Sequence, residues 1–197
     1  TGSKFGSRLE PGSHVSLQLH EGRGELDIVT QAETVEAYRR TREDLVRLGR
    51  AASLLEAVEQ LAQDRQSSPR LFDMLVGGLR TIDERNPPIV TGAFFLKLLA
   101  VEGVAPELDA CVGCGEEDGA LALALEAGGV RCRSCGGGRP VTDQALSVCR
   151  AVLGGGLNAV LDLPEGAVTH EVDSVATTAL ELHIERRLRS LKVLHDA

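Results

Sequence analysis

The residues best suited to chemistry are four cysteines, Cys111, Cys114, Cys132 and Cys135. They read Cys-Val-Gly-Cys, then seventeen residues, then Cys-Arg-Ser-Cys, a spacing that belongs to four-thiolate sites. Each Cys-x-x-Cys turn sets two sulfurs on one side of a tight knuckle. Two such knuckles together supply the tetrahedral set that Zn²⁺ takes in structural sites. Gly113 and Gly115 flank the first knuckle and Gly136 to Gly138 follow the second, leaving the backbone free to adopt positive φ where sulfurs converge. Between the pairs, Ala120 to Leu125 reads as a strand, Ala127 to Gly129 as a turn, and a short return leads into Cys132, the layout of a zinc ribbon. Four thiolates close the coordination shell and leave no place for water or substrate, so the expected role of the metal is structural.

Other uses of the same sulfurs stay open at this stage. Two disulfides would belong to an oxidising compartment, and nothing in the sequence looks like a secretory signal. Iron accepts the same four thiolates, and ligand softness does not separate it from zinc. A redox Cys-x-x-Cys calls for one motif rather than two at ribbon spacing. The fifth cysteine, Cys149, falls on the apolar face of a predicted helix and reads as core packing.

Catalytic constellations are missing from the sequence. It has no G-x-x-x-x-G-K-[ST] phosphate loop, no H-E-x-x-H pair and no G-x-S-x-G elbow. A zinc deaminase needs H-x-E ahead of P-C-x-x-C. His183-Ile-Glu185 has that spacing but follows both cysteine pairs, and no proline directly precedes either pair. The expectation is a protein that is not an enzyme.

The elements that must carry these residues are mainly helical. The 197 residues are 43% hydrophobic, enough for one good-sized domain or two small ones. Lys97 interrupts the longest apolar run, Ile89 to Val101, so no membrane span is expected and the protein is read as cytoplasmic. Aromatic residues make up only 3% of the chain, which argues against bases stacking on an aromatic platform. The net charge of −8 is also unlike the basic footprint of nucleic-acid binders. Locally the balance differs: from Leu182 to Ala197, Arg186, Arg187, Arg189 and Lys192 face only Glu185 and Asp196. Such a run reads equally as a phosphate-contacting patch or as a solvated helix end whose dipole favours cations.

Taken in order, His14 to Leu19 alternates polar and apolar residues, and Glu25 to Gln31 forms a second strand after a glycine turn. This predicts an antiparallel hairpin with Val15, Leu17 and Leu19 on one face. Two strands alone are marginal, so the hairpin needs a further partner, either the helices or strands that precede it. Helical periodicity begins at Ala32. Leu45, Leu48, Ala52, Leu55, Val58 and Leu61 predict a helix from Thr34 to Ala62 that breaks near Gly49. Ser67-Ser-Pro69 opens a helix carrying Leu71, Leu75, Leu79 and Ile82, and Gly77-Gly78 within it marks a close helix approach. After Asn86-Pro-Pro88, a helix through Phe94, Phe95, Leu98 and Leu99 is apolar nearly all round and is the expected centre of the core. Beyond the ribbon, Thr142 caps a helix that stops at Gly154 to Gly156, and a polar loop runs through Pro164 and Gly166. A last helix from near Thr169 carries Val172, Val175, Ala179, Leu182, Leu188 and Leu191. Short tethers on both sides make the ribbon an insertion into the helical domain, rigidly attached.

With that layout, the chain resembles the RecO family of bacterial recombination mediators. The matching pieces are Leu9-Glu-Pro, Gly24 to Gln31, the Leu98 to Pro106 run into Cys111-x-x-Cys114, Gly128-Gly-Val-Arg-Cys132 and Leu188-Arg-Ser-Leu-Lys192. The resemblance implies an α+β, mainly α, fold: the remnant of an N-terminal OB-fold barrel (1–32), a helical domain in two parts (33–108 and 141–197), and an inserted four-cysteine zinc ribbon (109–140). The first OB strands of the family are not in this sequence, and Lys4 and Arg8 would lie on the edge that remains. The resemblance also implies binding of single- and double-stranded DNA and annealing of complementary strands. It further implies loading of RecA onto DNA coated by the single-stranded-DNA-binding protein, with RecR as partner, in the cytoplasm and at the nucleoid. On that reading Lys4, Arg8, Arg186, Arg187, Arg189 and Lys192 are the candidate DNA contacts.

Overall fold

The chain enters through a hairpin whose apolar side chains largely stay in water. A computed structural model describes residues 5–22, 24, 26–62, 66–117 and 121–190. Strand β1 (His14–His20) pairs antiparallel with β2 (Ile28–Glu36), setting Leu17 opposite Ala32. Helical periodicity is thus not what residues 32–36 follow. The β-branched Thr34 and Val35 suit a pleated surface, and β1 is there to take up the backbone groups, so the second strand runs on to Glu36. Among the described residues no third strand extends this sheet. Leu17, Leu19, Ile28 and Val35 are exposed, while Ala32 is buried and the His14 ring meets Phe72 edge-on at 5.4 Å.

The helix expected over 34–62 is two helices, α1 (Arg39–Glu43) and α2 (Leu45–Leu61). The break comes at Asp44 rather than near Gly49. Asp44 is extended and its carboxylate accepts the Arg47 N–H at 2.9 Å, an N-cap that starts α2 afresh. Gly49 lies inside α2, buried, with its carbonyl accepting the Ser53 hydroxyl at 3.0 Å. The expected stripe is also rotated in the first turn, since Leu45 is 61% exposed and Leu48 is exposed too. The buried face is instead Gly49, Ala51, Ser53, Leu54 and Ala57, where all but Leu54 are small and let a neighbouring helix come close.

That neighbour is α3 (Pro69–Glu84), which begins with proline at its first position and buries Leu71, Leu79 and Ile82. Of the glycine pair, only Gly78 makes the close approach: a Cβ there would lie 2.8 Å from Leu54 Cδ2 and 3.0 Å from the Phe94 ring, whereas Gly77 faces open space. Asn86, at φ 49°, turns the chain into α4 (Val90–Val101). Every residue of α4 from Val90 to Leu96 is buried, as are Leu98 and Leu99, so this helix is the centre of the core, as its all-round apolar pattern demands.

Three short strands follow: β3 (Glu107–Cys111), β4 (Leu121–Ala124) and β5 (Gly129–Cys132), in the order β3-β5-β4. The chain then returns to the bundle through α5 (Asp143–Leu153), capped by the Thr142 hydroxyl, which accepts the Ala145 N–H at 3.2 Å. A four-residue helix, α6 (Leu157–Val160), occupies part of the stretch read as a loop, and α7 (Ala167–His183) packs along α4. Helix α4 receives no side-chain cap from Ile89. Asp173 of α7 takes that role, accepting the Gly92 N–H at 2.8 Å. Gly92 admits it because a Cβ there would come within 3.0 Å of the Asp173 Cα. Burial pushes the Asp173 carboxyl up to about 6, against the opposing pull of the Gly92 amide and Arg50.

The last helix ends sooner than the apolar period suggests. After His183, Glu185 takes φ 51° and the chain turns back. Leu188 does reach the core, but by this turn, with its N–H donating to Glu181 Oε1 at 2.9 Å. Leu182, expected in the buried stripe, is 42% exposed, and Leu191 lies outside the described residues. Among the described residues no helix is long and apolar enough to cross a membrane.

Candidate metal centre

Strand pairing brings the cysteines together. β3 and β5 are parallel and each ends on a cysteine, Cys111 and Cys132, so both chains deliver their first sulfur at the same end of the sheet. Both chains then turn in the same way. The Gly115 N–H donates to the Cys111 carbonyl at 2.8 Å, and the Gly136 N–H to the Cys132 carbonyl at 3.0 Å. Gly115 and Gly136 occupy positive φ at matching places in the two knuckles, which is why both sequences have glycine directly after the second cysteine. The Val112 N–H donates to the Val130 carbonyl at 2.9 Å and ties the first knuckle to the strand beneath the second.

The result is a cluster in which the sulfurs of Cys111, Cys114, Cys132 and Cys135 all lie within 4.8 Å of one another. Cys114 Sγ and Cys132 Sγ are 3.6 Å apart. A metal–sulfur distance of about 2.3 Å in a tetrahedron gives sulfur–sulfur edges of about 3.8 Å, so the spacing fits a tetrahedral thiophilic ion. Gly113 has to be small, because a Cβ there would sit 3.0 Å from Cys135 Sγ. Cys111 and Cys132 are buried and Cys114 and Cys135 exposed, placing the cluster at the rim of the ribbon.

The protons on Cys111 and Cys135 fit the same reading. The backbone amide of Cys132, with those of Gly113 and Cys114, holds the Cys111 thiol down to about 6. Hydrogen bonds with Cys114 and then the other cysteines push Cys135 up to about 12. Crowded sulfurs thus resist full ionisation, and a divalent cation is what would favour four thiolates at one point. Cys149 is separate. It is buried on α5, and burial raises its thiol to about 12, as befits a packing residue.

The ribbon is clasped to the bundle. Leu108, Leu121, Leu123 and Val130 belong to the same apolar cluster as α4 and α7. The Arg150 guanidinium of α5 donates to the Leu108 carbonyl and pairs with Asp109 at 3.0 Å.

The basic residues singled out in the sequence are not gathered in this way. Arg186, Arg187 and Arg189 lie on the turn after α7 instead of along one helix face. Arg186 donates to Gln60 Oε1 at 3.0 Å, and the Arg189 N–H donates to Glu56 Oε1 at 2.8 Å. Burial alone would raise the Glu56 carboxyl, but hydrogen bonds from Ser190 and Arg189 outweigh it and hold the group below its usual range. Lys4 and Lys192 lie outside the described residues, as does the side chain of Arg8. Two arginines that sequence reasoning passed over, Arg131 and Arg139, line a groove beside the ribbon. Their signal was present as a run from Gly128 to Pro140 with three arginines and no acid.

Comparison with known proteins agrees with this architecture. The family model described as "Recombination protein O C terminal" matches residues 42–192. The "DNA repair protein RecO" of Frankia casuarinae is 42% identical over 203 residues, spanning 100% of this chain and 83% of the relative. Its counterpart in Thermobifida fusca is 34% identical over the same shares, and that of Streptomyces griseus is 36% identical over 98% of this chain and 82% of the relative. With similarity running through hairpin, helices and cysteine cluster alike, the chain belongs to the RecO family of DNA repair proteins.

Proposed function

We propose that this protein binds single- and double-stranded DNA, anneals complementary strands and, with RecR as partner, helps load RecA onto DNA coated by the single-stranded-DNA-binding protein. Family membership makes the chain a DNA repair and recombination mediator and not an enzyme. The observation that carries the finer reading is the similarity to RecO proteins over the whole chain, 42% at its highest among the relatives named above. Zn²⁺ is the proposed occupant of the four-cysteine cluster, with Cys111, Cys114, Cys132 and Cys135 as ligands and a purely structural role, supported by the fit of the sulfurs to a closed tetrahedron. The proposed division is an OB-fold remnant over 1–32, a helical domain over 33–108 and 141–197, and the ribbon over 109–140. Exposed Leu17, Leu19, Ile28 and Val35 on the hairpin support its reading as part of a larger barrel.

Lys4, Arg8, Arg186, Arg187, Arg189 and Lys192 remain proposed DNA contacts, and the exposure of Arg186, Arg187 and Arg189 favours them. A second reading, a zinc-stabilised scaffold that holds protein partners without binding DNA itself, is favoured by the net charge of −8. Gel-shift titration with a single-stranded oligonucleotide at two salt concentrations separates the two. The mediator reading expects retardation that weakens steeply with salt, and charge reversal at Arg186, Arg187 and Arg189 that weakens binding to every sequence alike. No retardation at low salt favours the scaffold.

A further inference from the structure

The geometry points to the groove between the ribbon and α7 as a track for the phosphate backbone of single-stranded DNA, with Arg131 and Arg139 as its contacts. This rests on the DNA-binding reading above and assigns it a place. The groove, of about 560 Å³, has Leu125 and Ala127 on its ribbon side and Thr178 and Leu182 of α7 on the other.

Arg131 sits on β5 between Val130 and Cys132, both buried. Side chains alternate along a strand, so its guanidinium leaves the sheet on the face opposite the Cys132 sulfur and is not the counter-ion of the thiolate cluster. Its cross-strand neighbour is the small Ala122, and a glycine loop closes over it. A Cβ on Gly137 would lie 3.3 Å from Arg131 Nη1, and one on Gly138 would lie 2.7 Å from the Ala122 Cβ. Under that loop Arg131 Nε is buried and has no hydrogen-bond partner. A guanidinium has only donors to offer, and a buried donor left without an acceptor is costly.

Arg139 is fixed by its main chain, which exchanges hydrogen bonds with Leu123 at 2.8 and 2.9 Å, and its side chain is exposed. Four arginines meet carboxylates, in Arg42–Glu10, Arg47–Asp44, Arg85–Asp162 and Arg150–Asp109, and others, such as Arg40, Arg50 and Arg186, donate to neutral oxygens. Among the described residues neither Arg131 nor Arg139 forms an ion pair, although Glu126 also lines the groove. Two arginine forks suit phosphate oxygens. No aromatic side chain lines the groove, so bases gain no stacking platform there, and the contact expected is with the backbone, independent of sequence and sensitive to salt.

The test is fluorescence anisotropy of a labelled oligo-dT with the protein, an R131Q/R139Q variant and a T178E variant, which puts negative charge on the opposite wall without touching the ribbon. Helical circular dichroism and metal content are checked in each. Both variants are expected to bind more weakly. Loss of two phosphate contacts should lower the slope of log affinity against log salt by about 1.4, so that the fall in affinity from about 50 to about 200 mM salt is about sevenfold smaller in R131Q/R139Q. If the protein binds oligo-dT and both variants keep its affinity and slope, the groove assignment is overturned while the DNA-binding reading stands. If the unaltered protein does not bind, both fall. If R131Q/R139Q loses affinity for poly-glutamate but not for oligo-dT, the groove belongs to an acidic protein partner and the assignment is overturned.

Discussion

Around α4, the side chains of Phe95, Leu96, Leu98 and Leu99 are almost wholly removed from water by α2, α3, α5 and α7. Around the cysteine cluster the buried apolar side chains are Leu108, Leu121, Leu123, Ala124 and Val130, on strands of four or five residues, and two of the four sulfurs are exposed. Bundle and ribbon therefore owe their order to different forces. The bundle has enough apolar surface to fold by burial. Strands this short, with so little core, gain most from the proposed ion, which would close the loops through the four sulfurs. The two regions share one apolar seam, so they stand together while remaining separable by experiment.

The sharpest way to separate them is to withdraw the proposed metal. Chelation, or C111S, is expected to abolish hydrogen-exchange protection across residues 107–139 while α2, α3 and α4 stay protected. Simultaneous loss in both regions would mean that they are one cooperative unit. The converse perturbation is F95A, which should cost about 3–5 kcal/mol in urea unfolding because a fully buried aromatic leaves a cavity. Since the ribbon leans on the bundle, it should be lost in the same transition.

Asp173 sharpens the comparison through pH. Its carboxyl is raised by burial to about 6 from 3.8, so the folded state holds the proton more tightly. Stability from this group is fully present below about pH 4 and is lost as pH rises through about 6, on the order of 2–3 kcal/mol. D173N keeps an acceptor for the Gly92 amide and removes the charge. Melting curves should show the variant gaining on the parent protein between pH 4 and 7, and equal curves at both ends would remove the buried charge from the account. At the seam, R150M leaves the Leu108 carbonyl without its guanidinium donor. It should cost about 1–2 kcal/mol, visible as faster exchange in β3 than in α4. The smallest effect belongs to R85A, which breaks the exposed pair with Asp162 and should shift stability by less than about 1 kcal/mol.

What the sequence made legible follows from how local each signal is. The cysteine spacing, Pro69 at a helix start, Thr142 as a cap and the all-round apolar run of α4 are signals carried within a few residues, and the structure has each of them where it was expected. The misreadings lie where a distant partner decides. Residues 32–36 are strand because β1 lies alongside, although an apolar period ran through them. Helix α7 stops before Leu188 because the chain beyond it is drawn to α2, where Glu56 accepts the N–H groups of Arg189 and Ser190. Strand β3, Glu-Leu-Asp-Ala-Cys, alternates polar and apolar residues over only five positions, too short a run to stand as a strand without its pairing to β5. Arg131 and Arg139 were passed over because only folding brings a strand residue and a loop residue to one groove.

The central claim, that one ion held by four sulfurs fixes the ribbon to the helical bundle, is tested most directly by measuring metal and thiols together on protein purified without chelator. One zinc ion per chain is expected, with four thiols that resist a thiol reagent until the metal is withdrawn. Protein that carries neither zinc nor iron while the 107–139 region remains ordered, or cysteines found paired as disulfides, would contradict it.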